Sequence, residues 1–248
     1  MNRLPAILFA VVLLLTSSGN LFAQRGGRGG GGGSPRTAAA IDLTGYWVSV
    51  ITEDWKFRMV TPNKGVYETL TLNAQGRKVA DSWDPARDQA TGEACRAYGA
   101  GNIMRMPTRL HVTWADDTTL KIETDAGTQT RLLHFGPTTP AGEPSWQGHS
   151  MAEWQLGPGR GSARGGTLKV VTTNLRSGYV RRNGAPYSDK ATVTEYFDLN
   201  SAPNGDQWLT VTTKVEDPVY FSRAYLTSSD FKKLPSNAGW NPTPCSAK

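Results

Sequence analysis

The stretch RLHVTWADDTTLKIETDAGTQTRLLHF, residues 109–135, holds three short segments of period two separated by turn signals. In RLHVTW, Leu110, Val112 and Trp114 fall on one side of an extended chain and His111 and Thr113 on the other; in TLKIET, Leu120 and Ile122 oppose Lys121 and Glu123. Successive side chains of a strand point to opposite faces, so one face of each segment belongs to a core and the other to water or a polar lumen. Ala115-Asp116-Asp117 and Asp125-Ala126-Gly127 are turn sequences, and links this short join antiparallel neighbours. Thr128–Phe135 is the third strand.

The same period continues on both sides. Gly45–Thr52, Trp55–Val60 (WKFRMV), Thr167–Thr173, Ala191–Leu199, Gln207–Val215 and Val219–Thr227 are rich in aromatic and β-branched residues, with further turns at Asn183-Gly184 and Pro203-Asn204-Gly205-Asp206. The chain therefore reads as all-β, with about nine or ten strands in an antiparallel meander. Such a meander closes into a lipocalin-like (calycin-type) β-barrel or stacks as a β-sandwich; closure, which removes the exposed edges, is the expectation. One short helix is predicted over Asn73–Asp84, with Asn73 as N-cap and Pro85 just past its end, placed to cover one mouth of the barrel.

The 248 residues, 38% of them hydrophobic and 19% charged, suit one packed domain, assigned to residues 41–248. The formal charge of +6 is concentrated at the start: Arg3, Arg25, Arg28 and Arg36 lie in the first 40 positions, which carry no acidic residue, and the remainder is nearly balanced. A balanced body lacks the concentrated positive field that phosphate backbones require, which argues against nucleic acid as a partner. Arg3 followed by the apolar run Leu4–Leu15 is too short to span a bilayer core of about 30 Å and reads as a signal peptide over residues 1–23, ending at Ala23. Residues 24–40, with RGGRGGGGGSPR at 25–36, read as a flexible linker. The mature chain is then periplasmic or secreted, without stable membrane insertion.

Export places Cys95 and Cys245, the two cysteines, in an oxidising compartment, where they pair as a disulfide or remain separate thiols. Gly45-Tyr46-Trp47 is similar to the glycine-any-tryptophan start of lipocalin-like barrels. GEACRAYG (92–99), IMRMP, Arg131, WQGHSMAEW (146–154), GGTLKVVTTNL (165–175), GYVRRNGAPYSDKATVTEYF (178–197) and WLTVTTKVEDP (208–218) together resemble a large group of exported proteins of soil-type, acidobacterial-like bacteria. That resemblance implies export and a β-rich fold and carries no activity or catalytic residue across.

The chemistry is therefore sought residue by residue. Gly148-His149-Ser150-Met151-Ala152 approximates a nucleophile elbow, but its flanks are strand-like and His149 is the last histidine of the chain. The stretch 157–166 is neither a Walker loop nor a dinucleotide-binding loop, so no cofactor is implied. His111, His134 and His149 would hold a metal with Glu123 or Glu153 only if their strands converged, and no metal is assigned. The most suggestive cluster is Arg131, Tyr187, Ser188, Asp189, Glu195 and Tyr196, joined by Thr172 and Thr173. Arg131, Thr172, Tyr187 and Tyr196, with Trp154 at a barrel mouth, are candidate contacts to a polar organic ligand. Glu195 and Asp189, with His149, are candidate acid and base groups if their environments differ. Two functions follow: a small-ligand binding protein of the lipocalin-like kind, or an exported hydrolase or lyase acting on carbohydrate or plant-derived small molecules.

Overall fold

The computed structural model describes residues 33–136, 141–158 and 165–247. The leader, residues 24–32 of the linker and the centre of the second glycine-rich stretch lie outside the described residues. The strands are β1 (Gly45–Val50), β2 (Arg109–Trp114), β3 (Thr119–Thr124), β4 (Gln129–Phe135), β5 (His149–Leu156), β6 (Gly166–Thr173), β7 (Gly178–Arg181), β8 (Ala185–Tyr187), β9 (Thr192–Ser201), β10 (Gln207–Glu216) and β11 (Tyr225–Leu234). Nine of them form a closed barrel in the order β1-β11-β10-β9-β6-β5-β4-β3-β2, and β7 and β8 form a separate two-stranded ribbon. The barrel, not the sandwich, is the architecture of this chain.

The expected meander is corrected at two places. β4 and β5 pair in parallel, Leu133 opposite Ser150, an arrangement that a tight hairpin cannot make. The excursion containing β7 and β8 separates β6 from β9, which nevertheless pair antiparallel. Two strand expectations also shift. WKFRMV is not a strand: Trp55–Arg58 is a single helical turn, α1, and the adjacent residues Phe57 and Arg58 are both buried, which alternation forbids and a helix allows. The last strand begins at Tyr225, after a turn in which the Asp217 carboxylate accepts Val219 N–H at 2.8 Å and its carbonyl accepts Phe221 N–H at 3.2 Å.

The alternation read from residues 109–135 holds. Leu110, Val112, Leu120, Ile122 and Leu133 are at most 1% exposed and meet Trp47, Leu168, Phe197, Leu209 and Phe231 in one core filling the barrel. Asn73 accepts Gly76 N–H at 2.9 Å and starts helix α2 (Ala74–Asp81) as expected, while Pro85 opens a further helix, α3 (Pro85–Ala90), capped by Asp84. α2 packs against β8. The long β1–β2 connection, the ribbon and the β10–β11 loop thus cap one end over a second core of Tyr67, Leu72, Val180, Tyr187, Val193, Val215 and Phe221. No helix of the described residues is long and apolar enough to cross a membrane.

Both ends of the described stretch are tied down. Trp154 Nε1 donates to Pro35 O at 3.0 Å, so the described end of the linker packs on the barrel before residue 41. Cys95, in the 3₁₀ turn Ala94–Tyr98 of the cap, is bonded to Cys245 across 150 positions of sequence. Closing so long a loop restricts the unfolded chain, and replacing both cysteines by serine should cost about 2–5 kcal/mol. Chemical denaturation should report this as a lower midpoint with an unchanged far-ultraviolet spectrum.

Candidate functional site

The structure brings together part of the expected cluster. Arg131 on β4 and Glu195 on β9 point into the barrel and are both fully buried. Arg131 donates from Nη1 to Glu195 Oε1 at 3.0 Å and from Nη2 to Oε2 at 2.6 Å, with Thr172 Oγ1 at 3.4 Å from Nη2. Ser150 and Thr172 share a hydrogen bond of 2.8 Å beside the pair. Both oxygens of Glu195 are engaged by one guanidinium, a fork-to-fork arrangement that neutralises two charges without a path to solvent.

The remaining candidates lie elsewhere. Tyr187 is fully buried in a cradle of glycines: a Cβ at Gly99, Gly101 or Gly178 would come within 2.8 Å of its ring or hydroxyl. Burial pushes its phenol well above the ordinary value. Tyr196 is half-buried on the outer face opposite Lys169. Asp189 is exposed, paired with Lys190 at 3.1 Å on the rim of an open cleft that also includes Asp88, Arg96, Trp146 and Arg176. Glu195 and Asp189, the expected acid–base pair, are therefore not neighbours. Trp154 is half-buried, stacked on Phe135 with ring centroids 5.5 Å apart, and its indole N–H is taken by Pro35 O. His149 stacks on His134 at 5.3 Å on the barrel exterior, whereas His111 stacks on Tyr46 at 4.1 Å and contacts Glu123. Among the described residues no three His, Cys, Asp or Glu side chains gather as a metal-binding set.

A second polar cluster, absent from the sequence reading, lies in the cap. Arg58, Arg105 and Arg181 are 3%, 5% and 2% exposed and line one small cavity with Phe57, Asn102, Met106 and Arg182. The space has room for about one water-sized group. Each arginine reaches it from a different element. Asp54 takes a left-handed conformation, φ 50°, and its carbonyl accepts Phe57 N–H and Arg58 N–H, so α1 turns Arg58 inward at the end of β1. Arg105 ends the 3₁₀ turn Ile103–Arg105 just before β2. Arg181 ends β7 at the Asn183-Gly184 turn, where Gly184 has φ +83°.

The donors are only partly spent. Arg58 Nη1 pairs with Glu53, and Arg58 Nε donates to Arg105 O at 2.9 Å. Arg105 Nη2 donates to Asp54 Oδ2 at 3.0 Å. Arg181 donates to Glu68 O at 3.1 Å and to the Thr69 hydroxyl at 2.8 Å. Arg58 Nη2, Arg105 Nη1 and Arg181 Nε are buried and have no protein acceptor; Tyr225 stands beside Arg181, but its hydroxyl makes no bond of ordinary geometry. Burial pulls the Arg58 guanidinium below its ordinary value, with Arg105 adding to this and Glu53, Asp54 and Asp230 opposing it. Burial acts in the same direction on Arg181, again with Arg105. A cavity walled by crowded cations with unused N–H groups is an anion site in chemical terms.

The signal for this cluster was present in the sequence. Arg58 stands between Phe57 and Met59, Arg105 between Met104 and Met106, and Arg181 follows Tyr179-Val180. An arginine framed by apolar residues is buried with its charge or turned out; reading WKFRMV as a strand turned Arg58 out. Comparison of the chain with protein-family models, with curated proteins and with solved structures returned no match.

Two outcomes follow from this geometry. Arg131→Met or Glu195→Leu alone strands a buried charge and should cost about 3–5 kcal/mol, whereas the double substitution should cost less than either, as a double-mutant cycle of urea midpoints will show. Burial, with His149 adding to it, holds His134 below the ordinary imidazole value. A depressed folded-state value means that the contribution of neutral His134 is present above the unfolded value and lost as pH falls through the folded one. The melting temperature should therefore drop between about pH 7 and about pH 5, and His134→Gln should flatten that drop.

Proposed function

We propose that the protein is an exported binding protein of lipocalin-like architecture that holds a small organic ligand by an anionic group, seated in the capped end of the barrel on Arg58, Arg105 and Arg181. The observation that carries this reading is the presence of three guanidinium groups, each at least 95% buried, around one cavity with an unused N–H on each. Buried donors without acceptors cost stability, so an arrangement that concentrates three of them is explained by an occupant that repays them. Phe57 and Met106 in the wall supply apolar contact. Trp55, Met59 and Val60, 62%, 55% and 66% exposed, give the organic part of a ligand a surface beside Arg58. The disulfide, the apolar leader and the resemblance to exported bacterial proteins support placement outside the cytoplasm.

Native mass spectrometry of the mature protein, followed by release under denaturing conditions, should reveal an organic anion retained through purification. Arg58→Met combined with Arg105→Met should lose that mass, while Arg36→Met, at the exposed pair with Asp117, should retain it. A bound mass indifferent to the cap arginines, or neither bound mass nor a melting shift with any anion, would contradict the reading.

A further inference from the structure

The cleft on whose rim Asp189 stands is separate from the cavity of Arg58, Arg105 and Arg181, none of which lines it. Its volume of about 580 Å³ falls within the range, about 300–1,000 Å³, of clefts that enclose small organic molecules. Its walls come from α3 and the 3₁₀ turn after it, from the connection before β5, from the β6–β7 link and from the residues after β8. These segments are bonded to one another. Trp146 O accepts Ala100 N–H at 2.9 Å, and Ser145 O accepts Arg176 N–H at 2.9 Å. Asp88, buried, spends one oxygen on the Tyr179 hydroxyl at 2.6 Å and the other on Arg96 Nη1 at 3.4 Å. The walls are therefore held by the chain itself, which lowers the ordering that a ligand must impose.

The charge of the lining restricts what the cleft takes. Three arginines, Arg87, Arg96 and Arg176, stand against three carboxylates, Asp88, Glu93 and Asp189, so neither an anion nor a cation meets an excess of opposite charge. Arg96 is tied to Asp88, Arg176 to Glu93 at 2.7 Å, and Asp189 to Lys190 at 3.1 Å. A charged ligand has to compete with these pairs, and a neutral one does not.

What the pairs leave over is hydrogen-bonding capacity. Among the described residues, Glu93 engages only Oε1 and Asp189 only Oδ2, so each keeps an accepting oxygen, while Arg176 engages only Nη2 and keeps N–H groups that donate. Acceptors beside donors match the hydroxyls of a sugar, each of which donates and accepts at one oxygen. Pro144 and Trp146 supply the apolar part of the wall. Arg176 lies over one face of the Trp146 ring at 4.1 Å, yet that residue is only half-buried, so aromatic surface stays open in the cleft. The C–H face of a pyranose ring is an apolar counterpart for it.

We propose that this cleft is a second binding site, for a short neutral saccharide, whose ring packs on Trp146 while its hydroxyls bond to Glu93, Arg176 and Asp189. Asp88, with both oxygens spent inside the protein, positions Arg96 and Tyr179 and does not touch the sugar. The site is independent of the cap arginines, so its failure would leave the anion-binding reading where it stands.

The test is calorimetric titration of the mature chain with three neutral disaccharides, cellobiose, maltose and lactose, and with two charged ones, digalacturonate and the disaccharide of glucosamine, at matched ionic strength. At least one neutral disaccharide should bind with a Kd of about 1 mM or tighter, and both charged ones about tenfold or more weakly than it. Trp146→Ala should weaken that binding by about tenfold or more and Asp189→Ala by about threefold or more. Melting curves check both variants; Asp189 is exposed, so its variant keeps the test valid even if Trp146→Ala fails to fold. A charged disaccharide that binds as tightly as the best neutral one overturns the assignment of a neutral ligand. Affinity indifferent to Asp189→Ala and to a folded Trp146→Ala overturns the site, and no heat from any neutral disaccharide at about 10 mM overturns the proposal outright.

Discussion

A guanidinium taken out of water has to be met by acceptors on nearly all of its N–H groups, and the described residues bury four of them: Arg58, Arg105, Arg131 and Arg181. Arg131 is met within the barrel by both oxygens of Glu195 and by Thr172, with its Nε left without an acceptor, at the level where Ser150, Thr172, Thr213 and Ser229 interrupt the apolar filling. Of the three in the cap, Arg181 is met by as many acceptors as Arg131, and Arg58 and Arg105 by fewer. What they do bind is the cap itself: Arg58 holds the carbonyl of Arg105, and Arg181 holds the 66–69 segment through Val66 O, Glu68 O and the Thr69 hydroxyl. The same side chains therefore tie parts of the cap to one another and leave donors beside a cavity. On the proposed reading, stability and binding share these residues.

Barrel closure makes this possible. Nine strands pairing in a ring leave no edge, so the connections at one end are free to form a cap. The β1–β2 connection supplies α1, α2, α3 and the 3₁₀ turns bearing Cys95 and Arg105, and the disulfide to Cys245 fastens that connection to the C-terminal segment. The glycines around Tyr187 let the ring of β8 sit directly under the backbone of residues 99–101 and 178, so cap and ribbon pack as one body. Arg181, at the end of β7, inherits its position from that packing.

The barrel was legible in the sequence wherever strands alternate and turns are short. Residues 109–135 gave β2, β3 and β4 with the correct inward faces, and Asn73 gave the N-cap of the cap helix. β5 was passed over because Met151, Ala152 and Glu153 have little strand preference; its partners on β4 and β6 decide its conformation. The polar residues Ser228–Lys233 concealed β11 although Ser229 and Phe231 alternate inward. Arg131, Glu195 and Thr172 were recognised as a group, yet their bidentate closure depends on the register between β4, β6 and β9, which no local pattern contains. The cap arginines come from three segments far apart in sequence, and only the folded cap brings them together.

The central claim is that Arg58, Arg105 and Arg181 leave donors beside a cavity that an anion can take, whereas the unpartnered Nε of Arg131 is enclosed in the barrel core. Anomalous diffraction from crystals soaked in selenate, a tetrahedral dianion with a strong signal, tests it directly. The expected result is a selenium peak among Arg58, Arg105 and Arg181 and none beside Arg131. Selenium confined to exposed lysines and arginines, with ordered water on the unpartnered N–H groups of the cap, would contradict it.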